Sequence, residues 1–410
     1  MKCRHCATAL HPQQDVFIDL GAAPPSNAFL DAAALQRAEP HFPLKALACP
    51  GCGLVQVDEV QRHDALFSDD YVYFSSYSAS WLAHARAYVE QVVQRLALGP
   101  RSLVMEVASN DGYLLQYLQQ RDIPCVGVEP TESTARVARE RGIESLGEFF
   151  GLAFARRFVA GRRRCDLVLG NNVLAHVPDI NDFVAGLREV LAPQGSLTLE
   201  FPHLLQLVQQ AQFDTVYHEH FSYLSLHSVQ RVLHAQGLRV WDVEELPTHG
   251  GSLRVWAQHA SHPRDALARV AALLAREAAA GVGTRAFHAG LQARAERIKD
   301  ELLQFLIDCK RQGRKVAAYG AAAKGNTLLN FAGVRPDLLP YVVDASPHKQ
   351  GRFLPGSRIP VYAPQHLLDA RPDMVLILPW NLRDEIVAQW PQVRGWGGRF
   401  VTAVPELRID

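Results

Sequence analysis

The stretch VMEVASNDGYLL, residues 104–115, moves from an apolar run that carries one acid, through small polar residues, to apolar positions at helical spacing. That order predicts a buried strand, a tight turn and a helix N-terminus, the unit that forms a ligand floor in doubly wound α/β folds. Glu106 stands near the strand end and Gly112 lets backbone approach a ligand, with Ser109 and Asn110 adding polar groups between them.

Working outward, the neighbouring segments repeat the pattern. PCVGVEP (124–130) reads as a second strand that ends in Glu129, a carboxylate suited to two ribose hydroxyls. CDLVLGNNV (165–173) reads as a third, with Asn171 and Asn172 turned to the same crevice. SWLAHARAYVEQVVQRLAL (80–98) and ARVARERG (135–142) read as helices, and NDFVAGLREVLAPQG (181–195) as a helix closed by its glycine before the strand SLTLEFP (196–202). LRVWDVEEL and GSLRVWAQH form a β-pair joined through Gly250-Gly251. Strands alternating with helices argue a parallel sheet. Nothing in this crevice gathers a pyrophosphate, so S-adenosylmethionine suits it better than NAD.

The flanks differ. Residues 1–65 hold Cys3-x-x-Cys6 and Cys49-x-x-Cys52, two turns that together offer four thiolates to a structural zinc ion. This module reads as irregular and poor in core, so the metal would help it fold. Residues 66–260 carry the βα pattern, and 261–312 an Ala/Arg-rich helical connector ending at RQGRK. Residues 313–410 start a second βα alternation: KVAAYGA, NTLLNFAG, YVVDAS, DMVLILP and RFVTAVP. There, YGAAAKGNTLLN opens a helix whose amides face an anion. Gly320, Lys324, Gly325 and Asn326 suit a nucleotide diphosphate, Lys324 as a point charge, with Arg352 and Trp380-Asn381 in reach by position. Asp344 sits where an NAD enzyme keeps its ribose-binding acid, but GAAAKG lacks GxGxxG spacing.

At 410 residues the chain calls for two or three domains. Its 42 basic and 42 acidic residues cancel, which argues against nucleic acid or an acidic membrane surface as partner. No apolar run approaches the roughly 20 residues of a membrane span, and MKCRHCATAL lacks a secretory apolar core, so a cytoplasmic protein is expected, as monomer or homodimer.

FDTVYHEHFSYLS (213–225) concentrates two histidines, a glutamate and two tyrosines. A metal site, a polar loop and an acid–base set are the readings open to it. Spacing i and i+2 for His218 and His220 is not the i, i+4 of a helical metal pair. Histidine's ordinary pKa of about 6.5 suits a base near neutral pH.

Eight blocks in order then carry a resemblance: CRHC…CPGC, YVYFSSYS, EVASNDGYLL, GVEP, NNVLAHVPD, FDTVYHEHFSYLS, GGSLRV and AAYGAAAKGNTLLN. The chain resembles the sugar-nucleotide C-methyltransferases over nearly its whole length. Its cofactor loop departs from common methyltransferases, with Ser109, Asn110 and Asp111 where they carry glycines. The resemblance implies an α/β, three-domain protein: a small N-terminal zinc-binding module, a Rossmann-like class I methyltransferase domain and a C-terminal Rossmann-like domain that holds the sugar nucleotide without NAD. It implies S-adenosylmethionine-dependent methylation at C-3 or C-5 of a 4-keto deoxysugar, dTDP-linked by preference, with C-3 favoured. By the same resemblance His220 is the base and Tyr217 binds ketone or sugar oxygens. Glu219 fixes a tautomer or binds sugar hydroxyls, Tyr71 lines the sugar pocket, His176 faces the transfer crevice and His218 stands by. Competing readings are an O- or N-methyltransferase, an NAD-dependent sugar oxidoreductase and a non-catalytic scaffold.

Overall fold

Among the described residues, 1–58 and 74–410, the computed structural model holds three sheets. The N-terminal module is more regular than its sequence suggests. Strands β1 (Val16–Ala23), β2 (Phe42–Ala48) and β3 (Val55–Val57) pair antiparallel in that order. Its core is borrowed. Ile18, Leu44 and Ala46 are buried in one cluster with Leu302, Phe305 and Leu328 from the far end of the chain. Each such Leu or Ile contributes roughly 1.5–3 kcal/mol, so the module is held by its neighbours as well as by its cysteines.

The central sheet comprises β4 (Val104–Val107), β5 (Cys125–Val128), β6 (Ser145–Leu146), β7 (Cys165–Asn171) and β8 (Leu191–Pro202). After β9 (Ser222–Tyr223), which leaves to pair with β3, come β10 (Leu238–Leu246) and β11 (Ser252–His259). The spatial order is β10-β11-β8-β7-β4-β5-β6. Strand β11 alone runs against its neighbours, as the β-pair reading anticipated. Chain order reverses between β4 and β7, and that switch point opens a crevice at their C-terminal ends. The helix expected to close at Gly195 ends instead at Val190. Leu191 already has extended backbone (φ −75°, ψ 130°), two residues ahead of Pro193.

The connector is two helices, Ala268–Ala279 and Leu291–Arg311, not a continuous helical run. Gly281 and Gly283, at φ of 83° and 86°, interrupt it. The last sheet holds β12 (Val316–Tyr319), β13 (Val342–Val343), β14 (Val361–Tyr362), β15 (Met374–Ile377), β16 (Arg399–Thr402) and β17 (Arg408–Ile409), ordered β14-β13-β12-β15-β16-β17. It is parallel apart from β17. Its own switch point lies between β12 and β15, where the helix Ala323–Phe331 and the turn Trp380–Leu382 begin. No helix of the described residues is long and apolar enough to cross a membrane.

Candidate active site

The loop after β4 is bent by three left-handed residues in five, Ala108 (φ 58°), Asn110 (φ 49°) and Gly112 (φ 78°). A Cβ on Gly112 would stand 2.5 Å from Ile143 Cδ1, so the glycine is needed for packing and for conformation together. Opposite, the β5 residue Gly127 makes room for Ser109: a Cβ there would come within 2.3 Å of its Oγ. Glu129 is 5% exposed, and its two carboxylate oxygens accept the Asn110 and Thr131 N–H groups at 2.9 Å each. Each oxygen keeps a lone pair. Burial raises the Glu129 carboxyl above its ordinary range. Buried polar atoms without partners ring this crevice: both Glu106 carboxylate oxygens, Ser109 Oγ, Asp111 Oδ1, and the Oδ1 atoms of Asn171 and Asn172. Leaving such groups unpaired costs about 1–3 kcal/mol each, so the crevice is built for a polar ligand. This polar lining and the glycine cradle fit S-adenosylmethionine.

Tyr113, His249 and Glu200 of this crevice escaped the sequence reading, whereas Asn172 was expected here. Tyr113, buried, receives the Asn171 Nδ2–H at 3.3 Å. Asn172 and His249 both have left-handed backbone (φ 55°), and their side chains meet at 3.0 Å. Burial, with help from the Lys324 charge, lowers His249 to about 4. The third is Glu200 on β8, fully buried, which accepts Arg254 Nη2–H at 2.6 Å and lies 2.9 Å from His84 Nε2. Burial alone would raise its pKa, but His84 and Arg254 outweigh that and hold it at about 2.

The YHEH segment forms a turn beside this crevice, the His220 N–H donating to the Tyr217 carbonyl at 3.0 Å. His220 Nδ1 lies 3.0 Å from the Thr215 carbonyl, which can only accept, so Nδ1 carries the proton and Nε2 the lone pair. The Tyr217 hydroxyl donates to that lone pair at 2.8 Å. By the same logic His176 donates Nδ1–H to the Glu219 carbonyl at 2.8 Å, and its ring meets His220 edge-on at 4.6 Å. Burial lowers His176 to about 4. Burial, then the His176, His249 and Lys324 charges, pushes His220 well below its usual range. Both imidazoles therefore stay neutral at physiological pH.

The remaining expected site residues are dispersed. Glu219, buried, accepts from the Asn27 backbone (3.2 Å) and side chain (3.3 Å), and its Oε2 has no partner. His218 ties to the Pro43 carbonyl at 3.2 Å, consistent with a bystander. Tyr71 lies outside the described residues. In the C-terminal domain, a Cβ on Gly320 would meet Pro379 Cδ at 2.5 Å, and one on Gly325 would meet Leu378 Cβ at 2.7 Å. Asn326 donates Nδ2–H to the Ser26 carbonyl at 2.6 Å, and its Oδ1 has no partner. Asp344 closes the 320–322 turn, accepting from the Ala321 N–H at 2.7 Å. Arg352 is half-buried beyond it.

The thiol sulfurs of Cys3, Cys6, Cys49 and Cys52 all lie within 4.8 Å of one another, with Cys3–Cys52 and Cys6–Cys49 at 3.5 Å. Tetrahedral zinc with bonds of about 2.3 Å places sulfurs about 3.8 Å apart. The cluster fits a closed structural zinc site, with no position left for chemistry.

Three family models match the chain in order: a zinc binding domain over residues 3–67, a methyltransferase domain over 81–243 and a C-methyltransferase C-terminal domain over 247–405. The C-methyltransferase NovU of Streptomyces niveus is 34% identical over 408 residues, covering 100% of this chain and 96% of its own. Among solved structures, the magnesium protoporphyrin IX methyltransferase ChlM of Synechocystis, with bound SAM, is 14% identical over 49% of this chain and 99% of its own, at a TM-score of 0.36. The CcbJ methyltransferase of Streptomyces caelestis is 15% identical over 43% and 90%, at 0.33. The full-length match to NovU and the three ordered domain matches place the chain in the family of S-adenosylmethionine-dependent C-methyltransferases.

Proposed function

We propose that the acceptor is a 4-keto deoxysugar carried on a nucleoside diphosphate, dTDP by preference, and that the methyl group goes to C-3. The observation that carries this reading is the pair of buried His220 and half-buried Tyr217 beside the cofactor crevice. An oxygen or nitrogen acceptor already has a lone pair, whereas carbon beside a ketone becomes nucleophilic only once its proton is removed. A neutral imidazole with its lone pair fixed on Nε2 is the group such a step requires.

In the reading, His220 Nε2 takes the proton at C-3, and the C–H electron pair becomes the C=C bond of an enolate whose charge rests on the C-4 oxygen. The Thr215 carbonyl supports the imidazolium that forms, through Nδ1–H. Tyr217 gives up its bond to His220 and turns its hydroxyl to the sugar. The unpartnered Glu219 Oε2 accepts a sugar hydroxyl, His176 packs the base in place, and Tyr71 lines the pocket by resemblance. S-adenosylmethionine, when bound, supplies the electrophilic methyl. The nucleotide lies along the C-terminal domain near Gly320 and Arg352. An NAD reading is disfavoured because the GAAAKG turn after β12 lacks the GxGxxG spacing of a dinucleotide site.

The test is product mass. Protein, S-adenosylmethionine and freshly made dTDP-4-keto-6-deoxy or 2,6-dideoxy sugars should give a nucleotide sugar heavier by one methylene, and His220→Ala should not. No mass gain with dTDP, GDP and UDP sugars would exclude the acceptor class.

A further inference from the structure

Lys324 was expected to serve a diphosphate at the start of its helix, but its surroundings are those of the methyl-transfer crevice. The helix Ala323–Phe331 packs directly on the turn Phe213–Thr215. One turn beyond Lys324 on the same helix face, Thr327 donates its hydroxyl to the Val216 carbonyl at 3.1 Å, next to Tyr217. The Lys324 ammonium lies 4.6 Å from the centre of the Trp380 ring and donates to Asn381 Oδ1 at 2.7 Å. Trp380 in turn donates Nε1–H to the buried Asp214 carboxylate at 2.8 Å, and Asp214 precedes Thr215, whose carbonyl holds the His220 proton. The same indole lies against Gly250, where a Cβ would come within 2.4 Å, and Gly250 follows His249. Trp380 thus joins the turn bearing His220's anchor to the turn bearing His249, with Lys324 over its face. The Lys324 charge also helps lower both imidazoles.

An ammonium has three N–H donors. Among the described residues, Asn381 is the one hydrogen-bond acceptor of Lys324. Asp214, the carboxylate whose charge acts on Lys324, forms no ion pair within 4.0 Å of it. Two donors therefore remain for a ligand, and a fixed cation aimed at developing charge is most effective once that ligand displaces water.

We propose that Lys324, delivered by the C-terminal domain, is a catalytic residue that donates to the substrate's ketone oxygen as the enolate forms. This rests on the enolate reading above. The α C–H bond breaks, its proton goes to His220 Nε2, its electron pair forms the C=C bond, and the carbonyl π pair comes to rest on the oxygen that Lys324 faces. The third domain then completes the active centre instead of only holding the nucleotide.

The experiment separates deprotonation from methyl transfer and from nucleotide binding. Wild type, Lys324→Gln, Lys324→Arg and His220→Ala are incubated in D2O with dTDP-4-keto sugar and S-adenosylhomocysteine, and deuterium uptake at C-3 is read by mass spectrometry. Affinity for dTDP alone is measured by calorimetry, with thermal melting as the folding check. The proposal expects Lys324→Gln to slow exchange about 100-fold or more, Lys324→Arg to retain part of it, and dTDP affinity to stay within about twofold. Exchange at the wild-type rate in Lys324→Gln, with dTDP affinity weakened tenfold, would assign Lys324 to the diphosphate and overturn the proposal. Absence of exchange in wild type itself overturns the substrate reading and this proposal with it, an outcome distinct from a defect confined to the variants.

Discussion

Tyr217 and His220 face each other across a single turn, hydroxyl to Nε2 at 2.8 Å, while the far nitrogen of His220 is fixed on the Thr215 carbonyl. The turn thereby defines the tautomer before any ligand arrives, and the surrounding burial keeps the imidazole neutral. A base must be unprotonated to act. Because His220 is held well below 6.5, kcat/KM should stay flat as pH falls through 6.5 and decline only at lower pH. The profile is measured with saturating S-adenosylmethionine. An acid limb at 6.5 or above that vanishes in no histidine variant would remove His220 from the base role.

The same burial couples pH to folding. His176 and His249, both near 4 when folded, and His220, also lowered, contribute stability that is present above about 6.5 and lost as pH falls toward their folded values. Asp214 opposes them. Burial raises it to about 6, so its contribution is present below its ordinary value and lost as pH rises through 6. Burial raises the Glu129 and Glu219 carboxyls as well, so the imidazole share is read by difference, as the slope of stability between pH 6 and 4 in denaturant unfolding that a histidine variant loses. The slope is about 1.4 kcal/mol per pH unit for each net proton. His249→Asn, which tolerates left-handed backbone, should flatten that slope.

Glu200 provides a test of the cofactor side. It is fully buried and paired with Arg254, itself 3% exposed. Removing one member of such a pair leaves a buried charge uncompensated, at a cost of about 3–5 kcal/mol. Arg254→Met should therefore destabilise the protein by about that amount in urea unfolding, whereas Arg254→Met with Glu200→Gln should recover much of the loss. Equal loss in single and double variants would mean that the arginine acts through packing on Tyr88, 4.4 Å from its guanidinium.

Much of this architecture is legible in the chain, because the apolar runs of β4, β5 and β7 give way at once to small or polar residues, Ala108-Ser109, Glu129 and Asn171-Asn172, that mark the crevice. The strands β4, β5 and β7 and the reversed β-pair follow from that punctuation. Other features depend on distant partners. The regularity of residues 16–57 arises from pairing with Ser222–Tyr223 and from burial against helix Leu291–Arg311, neither of which local pattern reveals. Asp214 stood within the FDTVYHEH stretch, but its role depends on Trp380, 166 residues away. His249 looked like part of a turn. Its left-handed backbone and its bond to Asn172 are tertiary facts. Gly325 and Asn326 fit an anion-binding turn by type, and their contacts to Leu378 and to the Ser26 carbonyl are tertiary facts that the local pattern does not show.

Zinc should be needed for integrity, with no part in turnover chemistry. Four thiols offer no open coordination position, and Cys3, Cys49 and Cys52 are buried in one cluster with Leu47 and Leu54. Elemental analysis should find one zinc per chain. Strong chelation or Cys49→Ser should lower the melting temperature and, with it, activity. Holding activity at full value in a zinc-free, fully folded protein would show that packing against the C-terminal domain suffices.

Gly112 makes the sharpest claim about the cofactor loop. At φ 78° a side chain is strained by about 1 kcal/mol, and Ile143 Cδ1 would lie only 2.5 Å from the new Cβ. The strain is not local, because Asn110, two residues earlier, lends its N–H to Glu129 and its Oδ1 to the Ser75 N–H. Moving the loop shifts both contacts. Gly112→Ala should therefore weaken S-adenosylmethionine binding about tenfold or more and destabilise the fold by about 1–3 kcal/mol, while affinity for dTDP alone is unchanged. Calorimetry with each ligand separately gives the answer. A uniform loss for both ligands would mean general unfolding, and an unchanged S-adenosylmethionine affinity would move the cofactor off this loop.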